Sequence, residues 1–249
     1  TPQNRFKVAK PYDSSAEGSP PIQFEQQSLP SCGTDNMTSF SEDCLFINVW
    51  QPQSVSLPRS VSPKKPAPVL FHIHPGALHK LSPVSKLHMY DWMYMGYQTN
   101  SIVVGMTFRL GILGHYASAE LDEEQGGRIG NLGFLDQRLA LQWVQKNIGA
   151  FGGDPSRVML YGLSSGALAC VWHSATVESK GLFHSCVAES ALGGENYFQE
   201  KADSLRFWHW VTSKFFACSD LACLRGKKAE ELQVFIGNET IGYPDWGPG

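Results

Sequence analysis

Five short apolar runs lie between segments that are rich in proline, serine and polar residues. They occupy residues 45–50, 69–74, 102–107, 158–161 and 183–188. Each run is apolar almost throughout rather than at alternate positions, which is typical of strands that are covered on both faces. The pattern therefore predicts a largely parallel β-sheet.

Helical periodicity separates these runs. In residues 133–148, Leu135, Leu139 and Trp143 form one apolar stripe beside a second one, and Gly149 ends the predicted helix. Residues 199–216 form another helical stretch, whose aromatic side chains indicate core packing rather than a substrate surface. Strands that alternate with helices indicate an α/β fold.

Composition narrows the class of protein. The chain has 249 residues, of which 42% are hydrophobic, and this is enough for one buried core, so we expect a single domain over residues 1–249. A formal net charge of −3 without a basic cluster argues against a nucleic-acid partner or a membrane surface. No apolar run approaches the roughly 18 residues of a membrane span. We expect the partner to be a small molecule or another protein.

The cysteines indicate an oxidising compartment. Of the six, Cys32 and Cys44 are close in sequence, as are Cys218 and Cys223, and disulfides that close short loops are typical of secreted proteins. Two glycosylation sequons, at residues 36–38 and 238–240, favour the same location. We therefore expect a secreted or extracellular glycoprotein, the alternative being a cytosolic protein with reduced thiols.

One serine has the context of a nucleophile. The sequence reads Gly162-Leu163-Ser164-Ser165-Gly166 directly after the fourth apolar run. A serine on a tight turn from strand to helix is held in strained geometry that presents its hydroxyl, and flanking glycines let other segments pass closely. The alternative is an ordinary turn that caps a helix. With the alternation of strands and helices, the nucleophile interpretation predicts an α/β-hydrolase sheet.

Several local signatures, in one order along nearly the whole chain, resemble the type-B carboxylesterase and cholinesterase family. They are Arg5-Phe6, Ser41-Glu42-Asp43-Cys44-Leu45-Phe46-Ile47-Asn48-Val49, Ile73-His74-Pro75-Gly76-Ala77, Phe108-Arg109-Leu110-Gly111, Gly130-Asn131-Leu132-Gly133-Phe134-Leu135-Asp136-Gln137 and Phe151-Gly152-Gly153-Asp154-Pro155. The resemblance implies an α/β-hydrolase fold with a mostly parallel central sheet and helices on both faces.

The resemblance also implies a catalytic apparatus. Ser164 would be the nucleophile, and the backbone N–H groups of Gly76, Ala77 and Ser165 would form the oxyanion hole. Alanine stands at position 77 where the family usually has glycine, so its methyl group must fit there. Leu163 replaces the family's glutamate, which argues against efficient hydrolysis of choline esters.

Two structural ion pairs are implied by the same resemblance, Arg5 with Glu42 and Arg109 with Asp136. The alternative is that these are exposed charges, each worth less than about 1 kcal/mol. The two remaining cysteines, Cys170 and Cys186, lie in apolar segments and are expected to be buried free thiols.

The rest of a catalytic triad is not evident. After Ser164 come only His173, His184 and His209, none of which has the context of a catalytic loop. In the family the acid and the histidine come from the C-terminal half, so we expect an N-terminal portion of an incomplete α/β-hydrolase domain whose partner could be that remaining half. The competing explanation is a shortened relative without catalysis.

The sequence is consistent with two functions. The first is a secreted serine carboxylesterase or lipase-like hydrolase that acts on a small ester through an acyl-enzyme, with the isolated chain nearly inactive. The second is a non-catalytic cholinesterase-like module for adhesion or binding. No phosphate loop, dinucleotide fingerprint or metal-ligand spacing occurs, so no cofactor or metal is implied.

Overall fold

The computed structural model describes residues 4–11, 32, 40–52, 65–80, 92–127, 130–191 and 200–232. The two sequons lie outside these residues. The strands are β1 (Ile47–Trp50), β2 (Ala67–Ile73), β3 (Ile102–Met106), β4 (Gly153–Leu163) and β5 (Ser185–Glu189). The α-helices are α1 (Trp92–Thr99), α2 (Gly111–His115), α3 (Ala119–Glu124), α4 (Leu132–Asn147), α5 (Ser165–Ala175), α6 (Lys201–Phe215) and α7 (Leu221–Gly226).

The five strands form one sheet in the order β1-β3-β2-β4-β5. Strand β1 is antiparallel to β3, and the other three pairings are parallel. All five apolar runs are therefore confirmed as strands of a mostly parallel sheet. Strand β4 is longer than the predicted run, because its polar beginning also pairs with β2, through Gly153 and Ala67 across a register irregularity.

Helices cover both faces of the sheet, as predicted. Alternate residues of β2 point to opposite faces: Phe71 packs with α4 and α5, whereas Leu70 packs with Trp92 of α1. A further cluster joins α2, α3, α6 and α7, and there Trp208 and Val211 of α6 are buried. This confirms that α6 uses these side chains for packing, although Phe215 at its end is 44% exposed.

The two predicted disulfides, Cys32–Cys44 and Cys218–Cys223, are present. Cys170 and Cys186 are free thiols, the first buried and the second half-buried. None of the helices in the described part of the chain is long and apolar enough to cross a membrane.

Both ion pairs are confirmed as two-point contacts between distant segments. Arg5 donates to both carboxylate oxygens of Glu42, at 2.6 and 2.7 Å, and also to backbone carbonyls at the end of α7. Arg109 binds both oxygens of Asp136, at 2.8 and 2.6 Å, and its backbone N–H reaches the same carboxylate at 3.1 Å. Burial raises the pKa of Asp136, and the hydrogen bonds from Arg109 oppose this rise.

Candidate active site

Ser164 occupies the turn between β4 and α5 in a conformation that non-glycine residues rarely adopt. Its φ is 57° and its ψ is −120°, and it is the N-cap residue of α5. Positive φ in a residue with a side chain costs of order 1–3 kcal/mol and persists only where the surroundings enforce it. The strained elbow expected from the sequence is therefore present.

The flanking glycines are required by close contacts. A Cβ at Gly162 would lie 2.2 Å from the carbonyl oxygen of Gly166, and a Cβ at Gly166 would lie 2.1 Å from the carbonyl oxygen of Ile73. Both separations are far below any van der Waals contact. The turn consequently folds tightly on itself and against the end of β2.

Neighbouring strands also hold the elbow. The backbone N–H of Ser164 donates to the carbonyl of Glu189 at 2.9 Å, and the Ser164 carbonyl accepts from Leu168 at 3.1 Å as α5 begins. Tyr161 adds a bond from its hydroxyl to a Glu189 carboxylate oxygen at 2.9 Å. No sequence pattern singled out Glu189, because its role depends on a backbone carbonyl that only the pairing of β4 with β5 brings to the elbow.

The loop after β2 lies beside the elbow. Ile73 is paired in register with Gly162, and the chain then turns through three consecutive residues with positive φ: Gly76 (122°), Ala77 (53°) and Leu78 (64°). The Leu78 carbonyl accepts a hydrogen bond from Gly111 at 2.7 Å. Segment 76–78 is therefore fixed from both sides at the same edge of the sheet as Ser164.

His74 begins this loop. Its ring is buried, stacks on Phe108 with 4.5 Å between the ring centres, and places Nδ1 2.7 Å from the Pro75 carbonyl oxygen. Since a carbonyl only accepts, Nδ1 carries the proton and donates. The side chain therefore holds the first peptide of the loop.

Three other amides near the elbow differ from that of Ser164 in that, in the described part of the chain, they donate no hydrogen bond to a neighbouring strand. Within the described residues, Gly76 and Ala77 donate no hydrogen bond from their N–H groups. Ser165 is the first residue of α5, and the leading N–H groups of a helix have no acceptor within it. Gly76 is buried whereas Ala77 is exposed. These are the three amides that the family resemblance assigned to an oxyanion hole.

The histidines that follow Ser164 lie elsewhere. His173 is nine residues along α5, roughly 13 Å from Ser164, and its ring nitrogens contact Ser179 Oγ at 2.9 Å and Gln137 Oε1 at 3.1 Å. Burial, with a further effect of Arg138, lowers the pKa of His173 to about 3. Its imidazole is a neutral structural group that connects α5 to α4.

His184 is also remote from the elbow, and His209 is exposed. The ring of His184 accepts from the Val158 N–H at 3.2 Å, and Val158 precedes Ser164 by six extended residues, roughly 20 Å. His209 is exposed on α6. None of the described residues forms a group of three or more His, Cys, Asp or Glu that could hold a metal ion.

Residues 1–243 match the family described as the Carboxylesterase family. The chain belongs to this family. It is 34% identical over 213 residues to a cholinesterase of Mus musculus, a match that covers 83% of this chain and 32% of the cholinesterase.

Solved structures of esterases are similar to this carboxylesterase-family chain. A PNB esterase matches with a TM-score of 0.72 and 31% identity over 85% of this chain and 42% of the esterase. A thermophylic PNB esterase matches with a TM-score of 0.70 and 30% identity over 82% and 41% of the two chains. The α/β-hydrolase fold is therefore established, and the chain spans about two fifths of the esterases that it matches.

Proposed function

We propose that this protein is a serine carboxylic-ester hydrolase, of the carboxylesterase or lipase-like type, with Ser164 as its nucleophile. The observation that carries the proposal is the strained backbone of Ser164 at the turn between β4 and α5. The amides of Gly76, Ala77 and Ser165 are proposed to form its oxyanion hole. Membership of the carboxylesterase family supports the same chemistry. No cofactor takes part in it.

The proposed reaction has two stages. The Ser164 hydroxyl loses its proton to a general base as its oxygen attacks the ester carbonyl, and the oxyanion is stabilised by the N–H groups of residues 76, 77 and 165. The alcohol then leaves with that proton. Water attacks the acyl-enzyme in the same manner, which releases the carboxylic acid and restores the serine.

The base and the triad acid are proposed to come from polypeptide outside this sequence. In this fold the order along the chain is serine, then acid, then histidine, and the structural positions of His173 and His184 do not suit a catalytic base. The matched PNB esterase is more than twice as long as the matching part of this chain. We regard residues 1–249 as a single, incomplete hydrolase domain that would have little activity alone.

Substrate class and location complete the proposal. Leu163, next to the nucleophile, offers no negative charge to a developing cation, so the ester is proposed to be neutral rather than a choline ester. The methyl group of Ala77 is proposed to narrow the acyl site beside the oxyanion. The two disulfides support a secreted or extracellular protein.

Fluorophosphonate labelling tests the nucleophile. The protein, expressed from its full coding sequence, should acquire one label on the peptide that contains Ser164, and Ser164→Ala should abolish it. Ser174→Ala is the matched control, because Ser174 is exposed on the same helix and bonds only the Cys170 carbonyl. Removal of a triad member costs about 10⁴-fold or more in rate, so the contrast between the variants should be large.

The alternative, a non-catalytic binding module, makes the opposite prediction. In that case the folded wild-type protein would label no faster than Ser164→Ala, and it would hydrolyse no neutral ester above background. That result would overturn the proposal.

A further inference from the structure

The two free cysteines are neighbours on either side of the elbow. Cys170 lies on α5, six residues after Ser164, and Cys186 lies on β5, three residues before Glu189. The Cys170 thiol donates at 3.8 Å to the carbonyl of Val187, the residue after Cys186, and the Cys186 side chain packs against the core cluster that contains Cys170. The sequence places these residues in separate elements, and only the packing of α5 on β5 brings their side chains to one cluster.

The Cys186 side chain faces the helix. It packs against the core cluster that contains Cys170, Ala169 and Leu160, and in β5 the next side chain, that of Val187, points to the other face and is 39% exposed. Cys170 is fully buried, whereas Cys186 is half-buried. A small oxidant can therefore reach Cys186 first.

We propose that Cys170 and Cys186 form a third, reversible disulfide, which connects the nucleophile helix to strand β5. The other two cysteine pairs of the chain are already oxidised, and the side chains of Cys170 and Cys186 meet at the same core cluster. Burial and the neighbouring Cys186 thiol raise the pKa of Cys170, which disfavours its thiolate form.

The oxidant is a low-molecular-weight disulfide such as oxidised glutathione, and the electrons balance in two exchanges. The Cys186 thiolate attacks one glutathione sulfur, the glutathione disulfide breaks, and the first glutathione leaves as a thiol with the proton that Cys186 lost. The Cys170 thiolate then attacks the Cys186 sulfur, and the second glutathione leaves with the Cys170 proton. Two protein thiols are oxidised and one glutathione disulfide is reduced.

The disulfide would brace the elbow. Strand β5 supplies the Glu189 carbonyl that accepts the Ser164 N–H, and α5 begins immediately after Ser164. A covalent bond between the two elements would oppose their separation, so amide exchange at residues 165–169 should slow roughly tenfold or more in the oxidised protein.

Peptide mapping tests the proposal without relying on esterase activity. The folded protein is equilibrated with oxidised or reduced glutathione, quenched with acid, alkylated after denaturation and digested without reduction. In the oxidised sample, the peptides that contain Cys170 and Cys186 should be joined, and in the reduced sample both should be alkylated. Amide exchange is then compared between the two samples.

Single variants serve as controls. In Cys170→Ser, Cys186 should retain glutathione as a stable mixed disulfide, and in Cys186→Ser the buried Cys170 should remain reduced. Alkylation of both wild-type thiols after oxidation would overturn the proposal, as would glutathione retained on wild-type Cys186. Fluorophosphonate labelling of the two redox forms is a separate readout that depends on the proposed function, so failure to label would leave the mapping result interpretable.

Discussion

The backbone N–H of Ser164 is bound by the carbonyl of Glu189, 25 residues later, at 2.9 Å. This bond uses the backbone N–H of the candidate nucleophile itself. The next amide, that of Ser165, takes no part in this bond and lies at the beginning of α5. The end of a neighbouring strand thus helps to maintain the strained backbone of Ser164. The elbow is a property of three strands and one helix rather than of five consecutive residues.

The contact between the elbow and β2 predicts that Gly166→Ala is strongly destabilising. The Cβ of the alanine would lie 2.1 Å from the Ile73 carbonyl oxygen. Because that oxygen belongs to the backbone, rotation of a side chain cannot relieve the clash. We expect a loss of about 3 kcal/mol in the free energy of unfolding, measured by urea denaturation, together with loss of fluorophosphonate labelling.

Gly149→Ala is the matched control, because a Cβ there meets nothing within 4 Å. It should be neutral or stabilising by up to about 1 kcal/mol. Equal effects of the two substitutions would contradict the proposed role of the close contact.

The buried ion pair predicts that Asp136→Asn is costly. The variant would leave Arg109 without its charged partner, and breaking a buried pair in this way typically costs about 3–5 kcal/mol. Asp203→Asn, which breaks an exposed pair with Arg206 on α6, should cost less than about 1 kcal/mol. Comparison of the two urea midpoints checks whether burial decides the difference.

The buried, neutral imidazole of His173 predicts that the folded protein loses stability in acid. The pKa of His173 is about 3 in the folded protein and near the ordinary histidine value of 6.5 in the unfolded chain, so the unfolded chain binds more protons between these pH values. Stability should therefore fall as the pH drops below 6.5, by about 2 kcal/mol from this residue by pH 5. Burial also lowers the pKa of His72, which adds to the same trend.

The His173→Gln variant should lose part of this pH dependence, measured as the change in unfolding free energy between neutral pH and pH 5. His209→Gln, at an exposed position on α6, should retain the dependence of the wild type. An unchanged slope in His173→Gln would show that this imidazole does not control it.

Ala77 predicts a stabilising substitution. Its φ of 53° lies in the left-handed region, where a Cβ costs roughly 1–2 kcal/mol, more than the entropy that glycine loses on folding. Ala77→Gly should therefore raise the unfolding free energy by up to about 1 kcal/mol, and labelling of Ser164 should persist. Ala202→Gly, in helix α6, should lower it by up to about 1 kcal/mol. A decrease in both variants would indicate that Ala77 is not strained.

The regular elements were predictable because their patterns are local. All five apolar runs became strands, and the two helices predicted at 133–148 and 199–216 are α4 (Leu132–Asn147) and α6 (Lys201–Phe215). The polar beginning of β4 was missed, since pairing of Gly153 with Ala67 depends on a strand that is distant in sequence. The packing of Cys170 and Cys186 at one cluster was missed for the same reason.

The sequence by itself determined the five strands, helices α4 and α6, the α/β class, the two short-loop disulfides and the family, because these depend on periodicity, spacing and motifs that are local in the chain. Only the tertiary structure decided which groups hold the elbow at Ser164: the Glu189 carbonyl, and the end of β2 against Gly166. It also assigned His173 to a buried hydrogen-bond network rather than to catalysis. These relationships arise from parallel strand pairing, which brings together residues that are far apart in the chain.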